Sequence, residues 1–299
     1  MKNNVTILLA TYNGESWLAE QIDSVMSQVG VNIALYASDD FSTDTTNEIL
    51  RLVCQENSKF QLLPAKKSGS AGANFFRLIR DVKLGDDCDY IAFSDQDDLW
   101  HTDKISHAIQ TIIQQKVDAY SSNVLAFWED GSKKLIDKAQ PQQMFDYMFE
   151  SAGPGCTFVI SKVLALDVQE FLVNHQVACQ SVALHDWFIY SFARSRGYQW
   201  FIDAEPHMLY RQHAGNVVGA NVGVKAKLAR FKKLREGWLV KQALLIAETL
   251  GYSGTWPIQK LKRYHFFDRL TLILNISKLR RRTRDRVALA IFLLWPLKK

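Results

Sequence analysis

The sequence predicts an α/β fold: a mostly parallel central sheet flanked by helices, with a basic helical appendage at its C-terminal end. Three observations predict it. Short apolar runs of strand length recur at residues 5–10, 31–37, 60–63 and 90–93. Segments with apolar residues three and four apart alternate with them. Polar, acidic turns follow the runs at residues 11–14, 39–44 and 94–98. Strand and helix in regular alternation give a parallel sheet with helices on both faces. Strands buried on both faces read as continuous apolar runs. With 299 residues and 47% hydrophobic content, the chain can build one large domain, or one domain with an appendage.

The elements follow in order. Residues 5–10 form a first strand, too short for a secretory signal and leading directly into Thr11-Tyr12-Asn13-Gly14. Residues 15–28 carry Trp17, Leu18, Ile22, Val25 and Met26 at helical spacing. Residues 31–37 are a second strand. Asp39-Asp40-Phe41-Ser42-Thr43-Asp44 is a loop in which Ser42 or Thr43 suits a helix N-cap. Residues 60–63 are a third strand, and the small residues 69–72 open a helix over 73–81. Residues 90–93 are a fourth strand that runs into Ser94-Asp95-Gln96-Asp97-Asp98. Beyond it lie a helix at 103–115, one long strand at 119–128, a turn and strand at 153–160, and a helix at 163–174. His185-Asp186 opens a helix reaching residue 195. Residues 200–203 and 207–211 are extended, and residues 213–216 are a loop.

In open parallel sheets, ligands sit beyond the carboxyl ends of the strands. Thr11, Asp39 and Asp95 each stand at such an end, so their loops should converge on one crevice. The run from Asp95 to Asp98 holds three carboxylates in four residues. Hard divalent cations prefer such oxygen ligands together with substrate phosphates. Alternation points Asp95 and Asp97 to one side. One of them then suits a metal and the other a ribose or sugar, while an acidic loop can also be merely solvated. Asp39 can accept a hydrogen bond from a pyrimidine N–H, or serve an Asx turn. Thr11-Tyr12-Asn13 offers backbone and aromatic contact to a base. The small loop before Asn74 permits close backbone approach. Neither GxxxxGK[ST] nor GxGxxG is present, which argues against kinase, ATPase and dehydrogenase chemistry. Asp186 suits a general base or a helix cap. Arg211-Gln212-His213 is rich in donors for a diphosphate, and His213 can also ligate a metal.

Four segments in order carry a resemblance: Leu9-Ala10-Thr11-Tyr12-Asn13-Gly14, Ser38-Asp39-Asp40-Phe41-Ser42-Thr43-Asp44, Phe93-Ser94-Asp95-Gln96-Asp97-Asp98-Leu99-Trp100, and Leu209-Tyr210-Arg211-Gln212-His213. From about residue 5 to 220 the chain resembles glycosyltransferase family 2, the inverting enzymes of Rossmann-like GT-A fold. The third and fourth segments resemble its rhamnosyltransferase-like branch of bacterial surface-polysaccharide synthesis. The resemblance implies a catalytic domain over 1–221 that binds a nucleoside-diphosphate sugar, either dTDP-rhamnose or a UDP-sugar. It implies that Asp39 reads a uracil or thymine ring, that Asp95 and Asp97 serve sugar and metal, and that Asp186 is the base. The resulting expectation is donor contact from Thr11, Tyr12, Asn13, Asp39, Asn74, Asp95, Gln96 and Arg211. Asp97 and His213 are expected to hold Mg²⁺ or Mn²⁺. Two positions depart from the family pattern: Phe41 replaces a frequent Gly, and His185 replaces a common Glu.

Charge divides the chain. Residues 1–100 hold 8 basic against 15 acidic side chains, and residues 222–299 hold 19 against 4. The basic segment interleaves its charges with Trp238, Leu239, Leu244, Leu245, Trp256, Phe266, Phe267 and Ile273. That pattern reads as amphipathic helices on an anionic membrane surface, where a lipid-linked glycan acceptor would be presented. Nucleic-acid binding is the rival for this segment and is not favoured. No stretch reaches the roughly 18 apolar residues of a membrane span. Cys54, Cys88, Cys156 and Cys179 lack metal-ligand spacing and read as reduced thiols. The expectation is therefore a cytoplasmic enzyme, peripheral on the inner face of the plasma membrane. Two alternatives stay open: a different hexose donor, and a catalytically silent membrane scaffold. Oligomeric state is not legible.

Overall fold

The computed structural model describes residues 2–213 and 237–295. Its first half alternates strand and helix: β1 (Asn3–Thr11), α1 (Leu18–Met26), β2 (Val31–Asp39), α2 (Thr46–Glu56), β3 (Phe60–Leu62), α3 (Ala71–Asp81) and β4 (Tyr90–Ser94). Then follow β5 (Leu99–Trp100), α4 (Lys104–Gln115), β6 (Ala119–Ser122), β7 (Val124–Phe127) and β8 (Lys133–Ile136). The second half holds β9 (Val159–Ser161), α5 (Lys162–Asn174), α6 (Gln176–Cys179), α7 (His185–Ser195), β10 (Trp200–Asp203) and β11 (Met208–Arg211). The C-terminal region adds α8 (Trp238–Leu250), α9 (Trp256–Arg263), α10 (Phe266–Leu274) and α11 (Thr283–Leu294).

Seven strands form the central sheet in the order β10-β6-β9-β4-β1-β2-β3. The β4, β1, β2 and β3 neighbours are parallel, and β9 runs antiparallel between β4 and β6. A four-stranded sheet, β5-β11-β7-β8, lies beside it. In β1, Val5, Ile7 and Leu9 enter the apolar cluster shared with α1 and α4, while Leu8 and Ala10 enter the one shared with α3, α5 and α7. This two-residue alternation explains why the strand is apolar throughout.

Three local expectations differ from the structure. The single strand over 119–128 is two strands in different sheets. The break is Asn123, whose Oδ1 accepts from Lys138 N (2.5 Å) and Ala139 N (3.0 Å) and whose Nδ2 donates to Ala204 O (2.9 Å). Those bonds stop the ladder and send the chain to the second sheet. The helix expected over 15–28 starts at Leu18, because the Trp17 and Leu18 amides both turn back to Gly14 O at 3.0 Å. Neither Ser42 nor Thr43 caps α2, which begins at Thr46. Ser42 is spent on Asp39.

The change of composition at residue 222 is not a change of core. Leu239, Val240, Ala243, Ile246, Ala247 and Leu250 of α8 join the buried cluster that holds α3, α5 and α7. Part of the apolar stripe read as membrane-facing therefore points inward. The loop expected at 214–216 and the basic stretch 222–236 lie outside the described residues.

Candidate active site

Because β4, β1 and β2 are parallel neighbours, their carboxyl ends share one edge, with Thr11 opposite Asp39 and Leu9 opposite Ser94. Asp39 is buried there, and both its oxygens are engaged. Oδ1 accepts from Thr11 Oγ1 (2.9 Å) and Ser42 Oγ (2.5 Å); Oδ2 accepts from Ser42 N and Asn47 Nδ2, both at 2.8 Å. Asn74 is equally internal. Its Oδ1 accepts from Ser38 Oγ (2.6 Å), and its Nδ2 donates to Ser38 O (2.7 Å) and Thr11 O (3.4 Å). Buried polar groups must find partners, and these find each other. They brace the strand ends. Phe41 takes a left-handed backbone (φ 62°) and stays 54% exposed. The family's frequent Gly suits that conformation, whereas a residue with a Cβ is strained in it.

Gln96 closes the next corner. Its Oε1 accepts from Tyr12 N (2.8 Å), and its Nε2 donates to Tyr12 O (2.9 Å). The side-chain amide thus mimics a strand partner for the β1 loop. A Cβ at Gly14 would stand 2.3 Å from Gln96 Oε1, so only glycine admits this clasp. Asn13, also left-handed (φ 48°), accepts from Thr43 N at 2.8 Å. Tyr12 leaves its ring 56% exposed at the rim.

The acidic centre stands beside this frame. Asp97 Oδ2 and His213 Nε2 lie 2.7 Å apart, across 116 residues of chain. Trp17 stacks on the His213 ring at 3.9 Å and fixes its plane. Asp95 lies within the electrostatic reach of Asp97 and Asp186. Burial, and then the charges of those two carboxylates, raise its pKa to about 7. Asp186, at the start of α7, is pushed up to about 6 by burial, against the Trp187 amide (2.7 Å to Oδ1), Ser151 and the charge of Lys138. His185 turns the other way. It stacks on Phe75 at 3.9 Å, and burial lowers its pKa to about 3, so it packs as a neutral ring. A Cβ at Gly155 would fall 2.4 Å from His185 Nε2. Arg211 donates from Nε to Asp97 O (2.9 Å) and from Nη2 to Glu20 Oε2 (2.6 Å).

Behind these groups lies a buried layer: Asp98, part of the acidic run read from the sequence, with Cys156 and Lys104, which sequence reading missed. Asp98 accepts from Arg211 N through Oδ1 (3.3 Å) and is raised well above the ordinary carboxylate range by burial and by Asp97 and Asp95. Asp95, Asp98 and Cys156 each bring one potential ligand atom within 4.8 Å of the others. Burial lowers Lys104 to about 8, with its ammonium 3.6 Å above the Trp100 ring. Neither Cys156 nor Lys104 has a sequence signal, since burial beneath the site is set by α4 and the 155–157 turn. Trp17 did have one: it is an aromatic at the end of the first loop.

The structure thus joins Asp97, Arg211 and His213 and sets Asp95 within the charge of Asp97 and Asp186. It places Thr11, Asn13, Asp39, Asn74 and Gln96 in hydrogen bonds that hold the surrounding loops. Carboxylates so crowded that burial and mutual repulsion raise their pKa values favour a cation or a proton among them. A carboxylate near pKa 6 is suited to take a proton at neutral pH.

Residues 6–166 match the family described as Glycosyl transferase family 2. Over 292 residues the chain is 46% identical to the dTDP-rhamnosyl transferase RfbG of Shigella flexneri, covering 96% of this chain and 99% of that protein. It is 34% identical over 162 residues to the UDP-Glc:alpha-D-GlcNAc-diphosphoundecaprenol beta-1,3-glucosyltransferase WfaP of Escherichia coli, covering 52% of this chain and 59% of that one. Among solved structures, the mannosyltransferase PcManGT from Pyrobaculum calidifontis in complex with GDP-Man and Mn²⁺ superposes with a TM-score of 0.54 at 13% identity, covering 98% of this chain and 86% of that one. The S. aureus TarS 1–349 structure superposes at 0.53 and 14% identity, covering 98% and 80%. These two structures share the GT-A fold with this chain.

Proposed function

The chain belongs to glycosyl transferase family 2, and from that premise we propose that it transfers rhamnose from dTDP-rhamnose to a growing glycan by a single inverting displacement. The reading of the site rests on one observation: Asp97, within the electrostatic reach of Asp95, meets His213 Nε2 at 2.7 Å and takes Arg211 Nε on its backbone carbonyl at 2.9 Å, so carboxylate, imidazole and guanidinium share one corner. The choice of donor is supported by near-full-length similarity to a dTDP-rhamnosyl transferase. A UDP-hexose donor is the competing reading, favoured by the partial match to a glucosyltransferase. Donor hydrolysis across a panel of nucleotide sugars decides between them: turnover of UDP-glucose alone would discard rhamnose.

In this mechanism Asp186 takes the proton of the acceptor hydroxyl. That oxygen bonds to the anomeric carbon from the face opposite the nucleotide, and the bond from that carbon to the diphosphate oxygen breaks. Asp95 orients the sugar, while Tyr12 and Asp39 line the base pocket, where the strand-end bonds of Asp39 keep the loop in place. Asp97 and His213 would hold a divalent cation, Mg²⁺ or Mn²⁺. The residues present fit one, since a carboxylate and an imidazole point at each other 2.7 Å apart in a cluster rich in negative charge. When bound, such a cation offsets the charge that gathers on the departing diphosphate. Arg211, held beside the acidic cluster by Asp97 O and Glu20, would meet the diphosphate by exchanging the Glu20 carboxylate, which is 58% exposed, for a phosphate oxygen. Asp97→Ala is expected to cut transfer by at least about a hundredfold with the fold intact. Near-normal turnover with an unchanged melting curve would remove Asp97 from the metal role.

We also propose that α10 and α11 seat the enzyme on an anionic bilayer, where a lipid-linked acceptor is presented. Phe266, Phe267, Leu270 and Leu274 of α10, and Ile291 and Leu294 of α11, are exposed, as is the adjoining Trp295. Arg269 binds the Leu293 and Leu294 carbonyls (3.1 and 3.0 Å), so the two helices present one surface. Lys262, Arg263 and Lys278 on neighbouring segments supply cations. Among the described residues, no helix is long and apolar enough to cross a membrane. Residues 222–299 would then be a region set apart from 1–221 by charge, while α8 ties its described part to the catalytic core. Flotation with phosphatidylglycerol vesicles is expected for the wild type and is lost in Phe267→Ser/Leu294→Ser. Equal flotation of both proteins would end the assignment.

A further inference from the structure

Three of the seven histidines, His101, His107 and His207, cluster outside the donor site at the opposite end of the β5–β11 pair. His207 Nδ1 lies 3.3 Å from both oxygens of Asp103. Its Nε2 is sealed from solvent with no hydrogen-bond partner, and Glu205 Oε2 stands 3.8 Å away. His101, Asp103 and His207 each offer one ligand atom, all within 4.8 Å of one another. The His101 and His207 rings are 6.5 Å apart and inclined at 73°, so their ring planes do not stack and can converge on a point between them. His107 differs. It stacks face to face on His207 at 3.8 Å and gives its Nε2 to Asp203 at 2.8 Å, so it braces the His207 ring from behind. The backbone beneath is fixed as well: Gln28 Nε2 donates to His101 O (2.7 Å), and His101 N donates to His207 O (3.1 Å).

We propose that His101, Asp103 and His207 form a second divalent metal site, selective for Zn²⁺-class ions. Two imidazoles and one carboxylate suit zinc better than magnesium. Bond lengths near 2.1 Å need the ligand atoms to close by about 1 Å. His101 and Asp103 are exposed and can swing inward to do so. With Nδ1 on the metal, the His207 Nε2–H turns to Glu205, the carboxylate-to-imidazole support that orients metal-bound histidines. The site has a mechanical consequence. Trp100 pairs with Met208 and Leu99 with Leu209, and the same two strands then carry Asp97–Asp98 and Arg211–His213. An ion across His101 and His207 pins one end of the ribbon whose other end builds the donor site.

The test does not depend on the transferase reading. Tag-free Asp97→Asn protein, which lacks the donor-site cation ligand, is titrated with Co²⁺ and followed by its visible d–d absorption. One saturable equivalent, displaced by Zn²⁺, is expected. His101→Ala and His207→Ala in that background should each weaken binding on the order of 100-fold. His101 is at the surface, so its variant keeps the fold if His207→Ala does not. His107→Ala should retain the cobalt band. Absence of saturable Co²⁺ uptake, or uptake indifferent to His101→Ala, overturns the site. Failure of Asp97→Ala to impair transfer bears only on the transferase assignment.

Discussion

Asp186→Asn is expected to lower kcat by about 10²–10⁴-fold, the range that a positioned general base contributes. Donor binding should persist. The amide keeps the size of the carboxylate and can still accept the Trp187 N–H, so α7 keeps its first turn. Only the capacity to take a proton is removed. The pH dependence provides a separate check. Burial holds Asp186 at about 6, above an ordinary carboxylate, so the base is ionised and active above that pH and is protonated below it. Transfer by the wild type should therefore fall as pH drops through about 6. The residual activity of Asp186→Asn should lack that limb. A variant with full activity, or one that keeps the same acid limb, would move the base elsewhere in the cluster. Asp95 is the nearest candidate, since its proton is held to about 7 by burial, Asp97 and Asp186.

The residues in this prediction show what the sequence could and could not reveal. The alternating elements of the first half were legible, because strands buried on both faces are apolar runs and their order dictates which carboxyl ends meet. Asp95 and Asp97 were legible as chemistry-bearing groups at those ends, Asp186 at a helix start and His213 after the last strand; the structure joins Asp97 to His213 and sets Asp95 within the charge of Asp186. The destination of each hydrogen bond was not legible. Asn74 and Gln96 have the polarity of ligand-binding residues, yet their amides are consumed by Ser38 and Tyr12. Sequence shows a donor and an acceptor but not the backbone that will face them. The break at Asn123 was hidden for the same reason, since its partners lie 15 and 81 residues away. The C-terminal stripe showed amphipathicity without showing which face meets the core. There the fold decides, through α8 packing on α7, and the exposed patch is what that packing leaves over.

Arg281→Ala is expected to destabilise the protein by about 3–5 kcal/mol, the cost of stripping one partner from a buried ion pair. Arg281 is 3% exposed and Asp146 is fully enclosed. The guanidinium reaches Asp146 Oδ2 at 2.9 Å and Ser151 O, while its own amide donates to Glu150 at 2.7 Å. Asp146 also receives Tyr190 OH (3.0 Å) and Arg194 (3.3 Å), both on α7. The cluster therefore joins the segment between α10 and α11 to the helix whose first turn carries Asp186. Removing the cation leaves Asp146 and Glu150 buried with too little positive charge, and the Asp146 cluster that Tyr190 and Arg194 of α7 share with the 275–282 segment is weakened. Urea unfolding measures the loss. Asp146→Asn/Arg281→Met, which removes both charges, should recover part of it, because neutral groups of similar volume carry no uncompensated charge. A shift of Arg281→Ala within about 0.5 kcal/mol of wild type would show the contact to be dispensable. The shape of the transition is informative as well. If the C-terminal helices are part of the catalytic core, the variant unfolds in one step at lower urea and loses transferase activity along the same curve. An early, separate transition that spares activity would instead make residues 237–295 an independent unit, and the buried pair no more than its latch.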